Sequence, residues 1–178
     1  MRQYNKMVLV GMPGSGKSTL GKRVARLLNV PFFDLDHEIE NRDGTKIPEI
    51  FAAHGEDYFR ELETKTLVEL LHRDESFVLS TGGGAPCFNG NMDLINQLAV
   101  SVYLDVPMSE LLFRLIKGQA GKRPLFAQMN EEEVRLKLLD MYQQRSVFYR
   151  MARITLSGKD ISAEQLAVEW LGFSKIEP

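Results

Sequence analysis

Short apolar runs that alternate with longer amphipathic ones mark this 178-residue chain as an α/β protein built on a parallel sheet. Two observations carry the reading. The runs Met7–Val10, Pro31–Asp34, Phe77–Thr81, Val100–Leu104 and Ala152–Leu156 are rich in Val, Ile, Leu and Phe and mostly lack the polar alternation of a half-exposed strand, so all five are expected in a sheet covered on both faces. The intervals between them are long enough for helical crossovers, which are right-handed and return the chain parallel to itself.

Five strands are expected, at Met7–Val10, Pro31–Asp34, Phe77–Thr81, Val100–Leu104 and Ala152–Leu156. After the first, Leu20, Val24, Leu27 and Leu28 fall on one helical stripe. A helix follows the second strand, and aspartate at position 36 is a natural cap for one beginning at His37. Phe59, Leu62, Thr66 and Leu70 form the next stripe, and Asn91–Leu98 and Met108–Lys117 read as further helices. Asn130, with Glu133 three residues on, opens a helix to Arg150, and Ser162–Leu171 gives the last. No repeat or linker divides the chain, so one domain over residues 1–178 is expected.

Composition limits the function. Lys and Arg total 22 against 24 Asp and Glu, so no global field draws nucleic acid or an anionic membrane. Cys87 is the only cysteine and has no partner for an internal disulfide, and Met7–Val10 is too short for a signal peptide or a membrane span. A cytoplasmic protein with a small-molecule partner is the expectation.

Gly11-Met12-Pro13-Gly14-Ser15-Gly16-Lys17-Ser18-Thr19 stands between the first strand and its helix and fits the phosphate-loop pattern. Such a loop turns backbone N–H groups onto phosphate oxygens, the helix start adds positive potential, Lys17 reaches the β and γ phosphates, and Ser18 ligates magnesium. A nucleoside triphosphate with Mg2+ is therefore expected. The second strand ends in Asp34-Leu35-Asp36, two carboxylates able to hold magnesium through water and to orient an acceptor hydroxyl. The third strand lacks a terminal aspartate, which leaves the metal to Ser18 and water, with Asp34 and Ser80 behind them. Arg145 shares the stripe of Val134, Leu138, Met141 and Phe148, and an inward guanidinium needs an anion, either a ligand or an internal carboxylate. Arg60, flanked by Glu56 and Glu63, reads by spacing alone as part of a salt-bridged helix face. Lys117–Pro124 is a basic, glycine-punctuated stretch in which Arg123 is the candidate cation for a transferring phosphoryl group. Gly82-Gly83-Gly84 sits at a strand's carboxyl end, where ligands of such sheets bind.

Taken in order, the phosphate loop, Asp34-Leu35-Asp36, the segment from Ile50-Phe51 to Phe59-Arg60-Glu61, the glycine triplet, Arg123-Pro124-Leu125 and Arg145 with Tyr149 resemble the shikimate kinases over residues 7 to 172. The resemblance implies a phosphate-loop NTPase of the nucleoside monophosphate kinase type, with a five-stranded parallel sheet in the order 2-3-1-4-5 and helices on both faces. It implies transfer of the γ-phosphoryl group of MgATP to the 3-hydroxyl of shikimate, within aromatic amino acid and chorismate biosynthesis, by a cytoplasmic monomer. ATP is implied to meet Gly14, Ser15, Gly16, Lys17, Ser18, Thr19, Arg114 and Arg123. Shikimate is implied to meet Asp36, Arg60, Arg145 and the backbone of Gly82, Gly83 and Gly84, between walls at Phe51 and Phe59. Residues 35–72 are the implied substrate-binding region and 117–128 the lid; Lys17, Asp36 and Arg123 are the implied catalytic groups. The triplet then lets main chain lie against a sugar-like ring. Ala85-Pro86-Cys87-Phe88 and Phe126 depart from the family's commoner residues. A gluconate or nucleotide kinase, or a nucleotide-binding module without transfer activity, is the alternative.

Overall fold

The structure is a computed structural model that describes residues 5–119, 124–126 and 128–176. Five strands, β1 (Lys6–Val10), β2 (Phe32–Asp34), β3 (Phe77–Ser80), β4 (Val100–Asp105) and β5 (Ile154–Ser157), form one sheet in the order β2-β3-β1-β4-β5. Every pairing is parallel. The helices are α1 (Lys17–Leu28), α2 (Leu35–Asp43), α3 (Ile47–Leu71), α4 (Asn91–Leu98), α5 (Met108–Arg114), α6 (Glu131–Tyr149) and α7 (Ala163–Ile176).

The two-residue period of a strand divides the core. Met7 and Leu9 point to the face covered by α1 and α7, where they pack with Val24, Val102 and Leu166. Val8 and Val10 point to the other, where Leu67, Ile95, Leu111 and Leu138 come from α3 to α6. Each such side chain contributes about 1.5–3 kcal/mol when taken from water. Outer strands differ from the expectation of two buried faces: β2 is half-buried throughout, and β5, at the edge, alternates between half-buried and exposed positions.

Local chemistry explains several boundaries. Asn130 accepts from the Glu133 backbone N–H at 3.0 Å while the Glu133 carboxylate accepts from the Asn130 N–H at 2.8 Å, a complete capping box. Ser162 and Gln165 make the same reciprocal pair before α7. Helix α2 begins two residues before His37, with Asp34 at the cap position, so Asp36 does not cap it and is left in the first turn. Leu27, expected on the buried stripe of α1, is 55% exposed, because the buried arc is narrow and centred on Gly21, Val24 and Ala25. Helix α3 breaks at Gly55, whose φ of 81° lies in the left-handed region that side chains disfavour, and nothing approaches its Cβ position. Among the described residues no helix is long and apolar enough to cross a membrane.

Candidate active site

Register brings the first group of oxygens together. Asp34 pairs with Ser80, and Ser80 with Leu9, so the carboxyl ends of β2, β3 and β1 are adjacent. The phosphate loop leaves β1 there, with Gly14 and Gly16 at φ of 84° and 94°, and delivers Ser18 in the first turn of α1. The Ser18 hydroxyl donates to Asp34 Oδ2 at 2.6 Å and lies 3.1 Å from Ser80 Oγ. Buried Lys17 donates to the carbonyls of Gly11 and Met12 at 2.8 and 3.0 Å, which folds its ammonium over the loop.

A cavity of about 800 Å³ opens beside this cluster and is lined by Lys17, Asp36, Phe59, Arg60, Glu63 and Arg145, with the glycine triplet among its walls. The triplet's role is steric. None of its three residues has a positive φ. A Cβ on Gly82 would stand 2.7 Å from Asp36 Oδ1, on Gly83 3.2 Å from Arg145 Nη1, and on Gly84 2.8 Å from both terminal nitrogens of Arg60. Each missing side chain makes room for a different charged group, brought from α2, α6 and α3. Tyr149, fully buried on α6, donates its hydroxyl to the Gly83 carbonyl at 2.6 Å and ties the loop to the helix that carries Arg145.

Electrostatics in the cavity is strained on the acidic side. Asp36 opens onto the cavity yet is otherwise hemmed in by protein; the loss of water raises its pKa to about 6, with the neighbouring Asp34 carboxylate adding to the rise. Glu63 is almost wholly buried and is pushed up to about 7, mainly by burial, although Arg60 pulls it down. Arg60 donates Nη1–H to Glu63 at 2.7 Å, and Nε–H and Nη2–H to Glu56 at 3.2 Å. Among the described residues two of its five N–H groups therefore remain for an anion. Arg145 forms no ion pair within 4.0 Å among the described residues, although its charge helps to hold down the pKa of the buried Glu63 carboxyl.

A second pocket, about 520 Å³, lies across the phosphate loop and is lined by Gly14, Ser15, Gly16, Thr19, Phe113 and Arg114. Arg114 is held by Glu110 at 2.7 Å and by the Lys159 carbonyl at 2.8 Å. Phe51 and Phe59 both line the larger cavity, their ring centroids 4.5 Å apart. Arg123 lies outside the described residues; from the 117–128 stretch, Leu125 and Phe126 reach the cavity wall. Sequence reasoning passed over Glu63 as a member of the cavity. The signal was its spacing, four residues after Phe59 and three before Thr66, both on the buried stripe.

Fold and site together define a phosphate-loop kinase of the nucleoside monophosphate kinase type. A family model described as shikimate kinase matches residues 13–174. A shikimate kinase of Azobacteroides pseudotrichonymphae is 38% identical over 161 residues, which is 90% of this chain and 94% of that one. The crystal structure of shikimate kinase from Bacteroides thetaiotaomicron has a TM-score of 0.86 at 36% identity and covers 96% of this chain and 98% of its own. That from Acinetobacter baumannii, in complex with shikimate, gives 0.83 at 36% identity over 99% and 97%. The chain belongs to the shikimate kinase family and is an ATP-dependent kinase.

Proposed function

We propose that the chain transfers the γ-phosphoryl group of MgATP to the 3-hydroxyl of shikimate, producing shikimate 3-phosphate and ADP for aromatic amino acid biosynthesis. The observation that carries this reading is the meeting of Asp36, Arg60 and Arg145 around one bare stretch of main chain, beside Lys17. A small ring with a carboxylate at one end and hydroxyls at the other needs cations, a hydrogen-bond acceptor and little bulk between them. Arg60 and Arg145 grip the carboxylate, Asp36 takes the ring hydroxyls and orients the attacking oxygen, and the triplet's backbone supports the ring. The segment 35–72 carries Asp36, Arg60 and the Phe51–Phe59 wall and serves as the substrate-binding region.

Transfer is in line and direct, because phosphoryl transfer rests on positioning and charge stabilisation more than on covalent help. Lys17 turns from the loop carbonyls to the β and γ phosphates, and Arg123, in the 117–128 lid, closes over the transferring group. The phosphate loop from Gly14 to Thr19 holds the phosphates, and Arg114 faces the adenine in the smaller pocket. The hard oxygens of Ser18, Asp34 and Ser80 fit Mg2+, which takes few protein ligands and keeps its waters; Ser18 would hold it directly and Asp34 through water. Bound there, Mg2+ neutralises phosphate charge. The protein acts as a cytoplasmic monomer. Coupled measurement of ADP release with shikimate, gluconate and nucleoside monophosphates side by side tests the reading: turnover with shikimate alone is expected, and ATP binding without transfer to shikimate would overturn it.

A further inference from the structure

The segment that departs from the family pattern, Ala85-Pro86-Cys87-Phe88, leads directly off the glycine triplet as a 3-10 turn over Ala85–Cys87. Its last residue meets the site. The Phe88 ring lies under the Arg60 guanidinium, with Cζ 4.0 Å from the ring centroid, closer than the 5.1 Å to Phe59. The next residue locks that placement. Asn89, at φ 51°, donates its side-chain N–H groups to the Arg60 carbonyl at 3.2 Å and to Thr64 Oγ1 at 2.9 Å, which clamps the loop to the turn of α3 that carries Arg60.

We infer that Phe88 is a positioning residue for the acceptor carboxylate: its ring fixes the plane of the Arg60 guanidinium so that the two free N–H groups point into the cavity. The inference rests on the acceptor reading above. Glu56 and Glu63 hold three N–H groups from the helix side and would draw the guanidinium away from the cavity if its face were free. An aromatic face opposes that rotation, since a guanidinium over a ring is attracted by the ring's quadrupole and planar stacking leaves the in-plane N–H groups available. Gly84, whose missing side chain would stand 2.8 Å from the same nitrogens, leaves the space that the guanidinium occupies above the ring. Phe88 itself is 36% exposed and acts through Arg60.

The test is steady-state kinetics of Phe88→Leu, Phe88→Tyr and the parent, with shikimate varied at saturating MgATP and ATP varied at saturating shikimate. Phe88→Leu removes the π face and keeps an apolar side chain of similar size. Its KM for shikimate is expected to rise about 3- to 30-fold, the range a lost cation–π contact implies. Turnover and the KM for ATP should stay within about twofold. Phe88→Tyr, which keeps the ring, should restore the parental KM. An unchanged KM in Phe88→Leu, an equal rise in Phe88→Tyr, or a parallel change in the ATP constant would each overturn the inference. Should Phe88→Leu fail to fold, Asn89→Ala frees the loop without touching the ring: a raised shikimate KM supports the assignment and an unchanged one overturns it. A parent enzyme that ignores shikimate would sink the acceptor reading instead, so the two failures are distinct.

Discussion

Gly84→Ala turns the steric reading of the triplet into numbers. The new Cβ would sit 2.8 Å from Nη1 and Nη2 of Arg60 and 3.1 Å from Cζ, where ordinary contact begins near 3.4 Å. The guanidinium must therefore retreat by about 0.6 Å, and its bond to buried Glu63, now 2.7 Å, stretches or turns with it. Because a 1 Å misplacement costs on the order of 10²-fold, a shift of this size implies about a tenfold loss. The clash falls on the end of a flexible side chain, so stability should change by no more than about 1 kcal/mol, or about 2–4 °C in Tm for a protein of this size. A coupled ADP assay with shikimate varied should show KM up about tenfold and kcat within about threefold. Gly82→Ala is the contrast: its Cβ lands 2.7 Å from Asp36 Oδ1, so kcat should fall while KM moves less. A parental KM in Gly84→Ala, or the same split of KM and kcat in both variants, refutes the view that each glycine serves its own charged partner.

Asp36→Asn should lower kcat about 10²- to 10⁴-fold with ATP affinity unchanged by isothermal titration; near-normal turnover would remove Asp36 from its role. In the parent, kcat/KM should fall as pH drops below about 6, where Asp36 takes up its proton, and that limb should vanish in the residual activity of Asp36→Asn. The same shift sets a sign for stability. A folded pKa of about 6 against 3.8 unfolded means that a contribution fully present below about pH 4 is lost as pH rises through 6. Asp36→Asn should therefore be more stable than the parent at pH 7, by about 1 kcal/mol once its opening to the cavity is allowed for, and urea melts at pH 4 and 7 should show the gap only at the higher value. Arg145→Ala should raise the shikimate KM about 10- to 10²-fold, and an unchanged KM would argue for a structural role. Tyr149→Phe orphans the Gly83 carbonyl and should cost about 1–3 kcal/mol in urea unfolding; no loss would mean that the carbonyl finds another donor.

Sequence reasoning placed the sheet and the phosphate-binding rim because both are written in local pattern: apolar runs, a glycine loop and carboxylates at strand ends. It did not place what faces what. Arg60 looked like one member of a salt-bridged helix face, and its bonds to Glu56 and Glu63 exist. Spacing along one helix is blind to the cavity that the same guanidinium borders. The glycine triplet reads in sequence as a platform for a ring; that it also makes room for side chains from three other elements is held only in the tertiary arrangement. Asp36 reads in sequence both as a site carboxylate and as a cap for a helix starting at His37; the start at Leu35 removes the cap reading and leaves the carboxylate at the cavity. Leu27 was misplaced because periodicity gives a stripe's direction and not its width.

The break at Gly55 has a consequence for how acceptor selectivity can drift. Phe51 and Phe59 are eight residues apart, a separation of about 12 Å along an unbroken helix, yet their rings touch at 4.5 Å. The kink at Gly55 thus makes a hydrophobic gatepost from two turns of one helix. Its outer half, bearing Phe51, contributes none of the charged groups that line the cavity, all of which come from other stretches. Substitutions there can widen or narrow the entrance and leave the ionic contacts intact, whereas an alanine at the bend would be strained at this positive φ, and relieving the strain by straightening the helix would pull the two rings apart.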